Sequence, residues 1–119
     1  MSAVLRFYGV GNPWLQKGEF LMTVNENDFV VAMEECSEVA KCLSKAMRFG
    51  LYNHHPSKPE ETNAQALIKE YYQLNAIMER IINSHNLKIT DDMVKQIKLD
   101  KLYMVDKYAN VSIKEGRIS

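Results

Sequence analysis

Glu34-Glu35-Cys36-Ser37-Glu38-Val39, followed by Lys45 and Arg48, is the stretch on which the reading of this chain turns. It crowds three carboxylates into little more than one helical turn, with two cations one to three turns further on. At ~100° per residue, Glu35 and Glu38 fall about 60° apart on one side of a helix, and Lys45 lies close to the line of Glu38. Like charges at that spacing repel, each pair by a few tenths of a kcal/mol. A cation held between them turns the repulsion into a ligand set. Mg²⁺ suits carboxylate oxygens and keeps waters and phosphates as its other ligands. The same residues also fit a solvated helix face, with Glu38 paired to Lys41 and Glu34 in water. A second carboxylate-bearing helix decides between the two.

Working outward, the pattern predicts a helix from about Asn25–Asn27, either of which can cap it, to Phe49, with Gly50 as terminator. Phe29, Met33, Cys36, Ala40, Leu43 and Met47 recur at helical spacing and are expected to be core, with the acidic residues on their flank. Leu51 to Glu61, with Pro56 and Pro59, reads as a loop. Its His54 and His55 could touch a ligand, although loop histidines are more often solvated. A second helix opens at Thr62 with Gln65 three residues on, the capping-box spacing. Its apolar face is Leu67, Tyr71, Leu74, Met78 and Ile81, and Glu70 and Gln73 lie on one flank, one turn apart. Asn83-Ser84-His85-Asn86 breaks the pattern. Thr90 then caps a third helix, with Asp91 and Asp92 at its N-terminal dipole.

That third helix has two apolar sides, Val94, Ile97, Val105 and Tyr108 on one and Leu99 and Tyr103 on another. This is more than a lone three-helix domain can bury, so an oligomer is expected. The first 24 residues form an arm of uncertain structure ahead of a single helical domain over 25–119. Val4-Leu5-Arg6-Phe7-Tyr8 has strand composition, and Trp14, Phe20 and Leu21 are apolar enough to dock.

Composition narrows the class. With 119 residues, 46% apolar, and zero formal net charge, the chain is one domain's worth of globular protein with no basic field for nucleic acid or anionic membrane. No apolar run is long enough for a membrane span, and the N-terminus does not read as a secretory signal, so a cytoplasmic protein is expected. Cys36 and Cys42 lie ~9 Å apart along one helix and point in nearly opposite directions, which rules out a disulfide between them within it. Cys36 falls on the apolar stripe, and Cys42 shares the side of Glu35 and Glu38.

Two antiparallel helices with acidic flanks thus make a constellation. Glu35-x-x-Glu38, a proline-bearing loop, then Glu70-x-x-Gln73 resembles the MazG-like, all-α nucleoside triphosphate pyrophosphohydrolases, whose hallmark is Glu-x-x-Glu followed by Glu-x-x-Asp. Glu35-Cys36-Ser37-Glu38-Val39, continuing to Lys45-Ala46-Met47-Arg48-Phe49-Gly50, looks like the small phage and bacterial branch. The likeness covers about residues 28–110. It implies an antiparallel helical bundle of three long helices completed by oligomerisation, as a homodimer or homotetramer.

It implies further that Glu35, Glu38 and Glu70 are catalytic and hold Mg²⁺ (or Mn²⁺), with Gln73 as a neutral fourth ligand. Lys45 and Arg48 would contact the phosphates of a nucleoside triphosphate, which is cleaved to monophosphate and pyrophosphate. Gln73 departs from the pattern, since it offers a carbonyl oxygen but no charge. Two alternatives follow: a weakened relative that binds nucleotide or a protein partner, and a helical interaction module whose glutamates are surface.

Overall fold

Three threonines open three helices. The computed structural model describes residues 4–6 and 21–119, and the helices are α1 (Val24–Phe49), α2 (Asn63–Ser84) and α3 (Asp91–Lys114). Each starts where a threonine in extended conformation turns its hydroxyl onto the third amide of the helix, satisfying a donor that has no intrahelical partner. Thr23 Oγ1 accepts from Glu26 N–H at 3.1 Å, Thr62 from Gln65 at 3.1 Å and Thr90 from Met93 at 3.2 Å. At Thr62 the box is reciprocal, because Gln65 Oε1 accepts from the Thr62 N–H at 2.8 Å.

The α1 start differs from the expected Asn25–Asn27 for a local reason. Thr23 ends β2 (Leu21–Thr23), which pairs antiparallel with β1 (Val4–Arg6) in the register Val4↔Thr23, so its backbone is already extended where the helix begins. The expected docking of Trp14 and Phe20 lies outside the described residues.

The described chain divides into two compact units, Met1–Asn86 and Leu87–Ser119. In the first, α1 and α2 form an antiparallel hairpin, tied at its open end by Asp28 and Arg80. Asp28 is only 2% exposed. Its carboxylate accepts from Arg80 Nε at 3.0 Å and from Nη2 at 2.5 Å, the two-pronged geometry that suits guanidinium to carboxylate. Beside it Ala32, Ile77 and Ile81 are buried, with Val31 and Leu74 packed on them.

The expected core stripe of α1 is not this face. Met33, Leu43 and Met47 are 64%, 54% and 89% exposed, Phe29 and Cys36 are exposed too, and Phe29 stacks on His85 at 5.2 Å. On α2, Leu67, Leu74 and Ile81 turn inward as expected, but Ile77 replaces the exposed Tyr71 and Met78. The small Ala32 and the Asp28 tie bring α2 against the Asp28–Ala32–Glu35–Val39–Cys42 line, one residue, or ~100°, around the helix from the larger apolar stripe.

The second unit is one capped helix. It closes at Glu115 and Gly116, whose φ of 76° is the left-handed turn that glycine takes without a Cβ clash. Within its own unit α3 has no element to pack on.

The Asp28–Arg80 tie gives a direct stability test. Asp28→Ala leaves the guanidinium without its acceptor across the hairpin and is expected to lower Tm by several degrees. Lys41→Ala, which removes only a surface pair, leaves Tm within about a degree. Thermal melts by circular dichroism of the two variants make the comparison.

Candidate active site

α1 and α2 each bring one glutamate to the inner edge of their contact. Glu35 and Glu70 are both half-buried, and the charge of Glu70 bears on the Glu35 carboxyl. Glu35 Oε2 is buried and has no hydrogen-bond partner among the described residues. The Glu35 carboxyl is held above the usual carboxylate range, first by burial, then by the nearness of Glu70, and after those by the charges of Glu38 and Glu34. A buried acceptor left without a donor on a carboxyl that feels a second acid is an arrangement that a bound cation satisfies. The residues present therefore fit a divalent cation.

The other expected ligands are placed differently. Glu38 sits one turn along α1, but its carboxylate accepts from Lys41 Nζ at 3.1 Å, the surface pair that the alternative reading of this helix anticipates. Its charge still acts on Glu35 and on Cys42. Gln73 is exposed and lines a shallow groove with Ala76, Ile77 and Arg80, beside the Asp28 tie. Among the described residues, no three Asp, Glu, His or Cys side chains converge into a ready cage. The charge of Glu70 bears on Glu35, Glu38 is adjacent but engaged, and Gln73 lines a groove shared with Arg80.

Cys42 stands between this pair and the loop. Burial pushes its thiol up, Glu70 adds to that, and Lys45 works in the opposite sense. Lys45 and Cys42 open on a cavity of about 260 Å³ whose far wall is the α1–α2 loop. Arg48, one turn further, turns its guanidinium over the Phe49 ring at 5.2 Å, a cation–π contact. The Arg80 tie and the loop wall are the parts that sequence reasoning missed. The only signal for the second was the cluster of His54, His55, Ser57 and Lys58 around Pro56.

The raised Glu35 carboxyl sets a pH dependence of known sign. Its folded pKa exceeds its unfolded one, so between the two values the folded state binds more protons and stability falls as pH rises. The metal-free protein is expected to be most stable toward the ordinary carboxylate range and to lose that increment as pH rises through the raised value. Glu35→Gln removes this slope. Melting temperatures across that window, with chelator present, measure it; an unchanged slope in the variant contradicts the assignment.

No helix of the described residues is long and apolar enough to cross a membrane. No family model, curated protein or solved structure matches the chain.

Proposed function

We propose that this protein is a Mg²⁺-dependent nucleotide pyrophosphohydrolase of the MazG-like kind, cleaving a nucleoside triphosphate to monophosphate and pyrophosphate. The observation that carries the reading is the buried Glu35 Oε2, without a hydrogen-bond partner among the described residues, on a carboxyl that feels the charge of Glu70 from the neighbouring helix. Glu35 and Glu70 would hold the metal, with Glu38 joining once it leaves Lys41. A divalent cation there supplies charge neutralisation for the triphosphate and an acidified water. Because Glu35 retains its proton more tightly than an ordinary glutamate, metal and proton compete for it, and affinity rises with pH. Lys45 faces the adjoining cavity as a point charge for a phosphate oxygen. Arg48, parked on the Phe49 ring, adds positive charge at the same end of α1.

The catalytic unit in this reading is a homodimer or homotetramer. Among the described residues the buried apolar core consists of Ala32, Ile77 and Ile81, which is too little to offset the backbone entropy of ordering three long helices. The exposed Phe29, Met33, Leu43 and Met47 face of α1 is the surface that a second copy would cover.

Two observations favour a second reading, a relative that binds nucleotide or protein without turning it over: the Glu38–Lys41 pair and the neutral Gln73. Gln73→Asp separates them. It is expected to tighten Mn²⁺ binding by about tenfold, the scale of change for groups that support a metal site, and to raise turnover. Titration by electron paramagnetic resonance reads the affinity. No change would place position 73 outside the metal's reach.

A further inference from the structure

The α1–α2 loop is more ordered by its own hydrogen bonds than a surface connection requires. Asn53 Nδ2 donates to the Phe49 carbonyl, and Asn63 Nδ2 donates to that of Gly50 at 2.8 Å, so two carbonyls at the end of α1 are closed by side chains. Backbone bonds from Asn63 N–H to Asn53 O and from Ala64 N–H to Leu51 O, both 2.8 Å, pull the loop ends together. His55 Nδ1 accepts from the Ser57 N–H at 3.1 Å and lies 2.7 Å from Ser57 Oγ, which leaves Nε2 as the ring's N–H donor. His54 is the reverse. Its Nδ1 donates to the His55 carbonyl at 2.9 Å, and its Nε2 is the free acceptor.

Two cavities lie against this loop and share Lys45, His55 and Asn63. The first, about 260 Å³, is cationic and hydroxyl-rich: Lys45, Lys58, His55, Ser57 and Thr62 line it. Glu61 also lines it, but its carboxylate is engaged by Lys69 at 3.0 Å. Among the described residues no carboxylate pairs with Lys45 or Lys58. The second, about 400 Å³, is mostly apolar, walled by Phe49, Pro56 and His54 with the amide of Asn53. Cys42, on the wall of the first, lies about two turns along the same side of α1 from Glu35, and the charge of Glu70 reaches it. Along α1, Glu35, Cys42, Lys45 and Phe49 mark a line of ~21 Å from carboxylates to apolar chamber.

We propose that this two-chamber cavity holds a phosphorylated planar ring, namely the base and first phosphate of a nucleotide, with the ring against Phe49 and Pro56 and the phosphate among Lys45, His55 and Lys58. A planar ring suits an apolar slot that carries one donor and one acceptor at its edge. A phosphate suits two unpaired ammonium groups and an imidazole N–H. The assignment rests on the hydrolase reading and names the part of the substrate that stays behind: the nucleoside monophosphate is held, and pyrophosphate departs from the carboxylate side. His55, Ser57 and Lys58 become binding residues, where loop position alone suggested solvent.

The test uses the full chain without metal, titrated calorimetrically with nucleoside monophosphates of each base, the matching nucleosides, inorganic phosphate and pyrophosphate. At least one monophosphate is expected to bind saturably and tighter than its nucleoside and than phosphate, and to shift the backbone amide resonances of residues 53–58. Lys58→Ala should weaken that monophosphate by about tenfold, the worth of one charge-assisted hydrogen bond, and leave the nucleoside unchanged. Phe49→Ala should weaken nucleoside and monophosphate together. Both side chains are exposed, and retained loop resonances in the free variants confirm the fold. Absence of monophosphate binding, or binding of phosphate and pyrophosphate alone with no response to Phe49→Ala, overturns the proposal. Monophosphate binding without any hydrolysis would uphold the chamber and sink the hydrolase reading. Hydrolysis with no monophosphate contact at the loop would do the reverse.

Discussion

Glu35→Gln is expected to raise the melting temperature of the metal-free protein and at the same time abolish turnover. The two effects share one cause. In the wild type, above its raised pKa, a charged Glu35 sits half-buried beside Glu70 and near Glu38 and Glu34, with one oxygen that no donor among the described residues meets. The amide carries no charge and can donate to Glu70, so the metal-free hairpin relaxes. The same amide is a poor cation ligand. Substitutions of groups that merely support a metal site cost 10–100-fold, so loss of a direct ligand should cost more than about 100-fold in kcat/KM. The stabilisation that Mg²⁺ confers on the wild type, which grows with the ratio of metal to Kd, should vanish with it. Paired melts with Mg²⁺ and with chelator, alongside initial rates, give both readings. A variant that melts lower without metal, or keeps its Mg²⁺ increment, would show that Glu35 is an ordinary structural glutamate.

The second large effect concerns assembly. Met33→Asp together with Leu43→Asp places two charges on the exposed apolar face of α1. If a second copy covers that face, each original side chain contributes about 1.5–3 kcal/mol on burial, and a buried, unpaired carboxylate costs several more. The double variant is expected to sediment as a monomer and to melt at lower temperature, and the wild-type Tm is expected to rise with protein concentration. Unchanged mass and stability in the variant would leave that face to solvent. The change is informative because neither residue supports the α1–α2 contact, which runs through Asp28, Ala32, Ile77 and Ile81.

Helix ends were legible from residues alone, because caps are local chemistry: Thr62 with Gln65, Thr90 with its acidic first turn, and Gly50, which takes a positive φ of 93°. Only the first start slipped, to Thr23, since the strand pairing that extends it comes from residues far back in the chain. Facing was not legible on α1. Periodicity reports how apolar a side of a helix is, not which partner covers it. The Phe29–Met33–Leu43–Met47 side is the more apolar, yet α2 lies on the neighbouring line, where Asp28 is buried by its pairing with Arg80. A buried aspartate gives no hydrophobic signal.

The site divides the same way. Glu35 and Glu70 are picked out by the combined spacing Glu35-x-x-Glu38 and Glu70-x-x-Gln73 on two helices, and the fold brings the charge of Glu70 to bear on Glu35. Cys42 was placed on their side by angle alone. Glu38 is adjacent, but its nearest opposite charge on the same helix, Lys41, competes for it. The loop cavity was not found, because it arises from two asparagines closing helix-end carbonyls and from a serine orienting a histidine. Such contacts have no periodicity to detect.

The most direct measurement is to follow a panel of ribo- and deoxynucleoside triphosphates by ³¹P NMR with the purified protein and Mg²⁺ or Mn²⁺, with Glu35→Gln and Glu38→Ala in parallel. A metal-dependent pyrophosphohydrolase centred on Glu35 and Glu70 yields monophosphate and pyrophosphate from at least one triphosphate, only with metal and only with Glu35 and Glu38 intact. Diphosphate and orthophosphate as products, or no hydrolysis anywhere in the panel by folded protein, would contradict it.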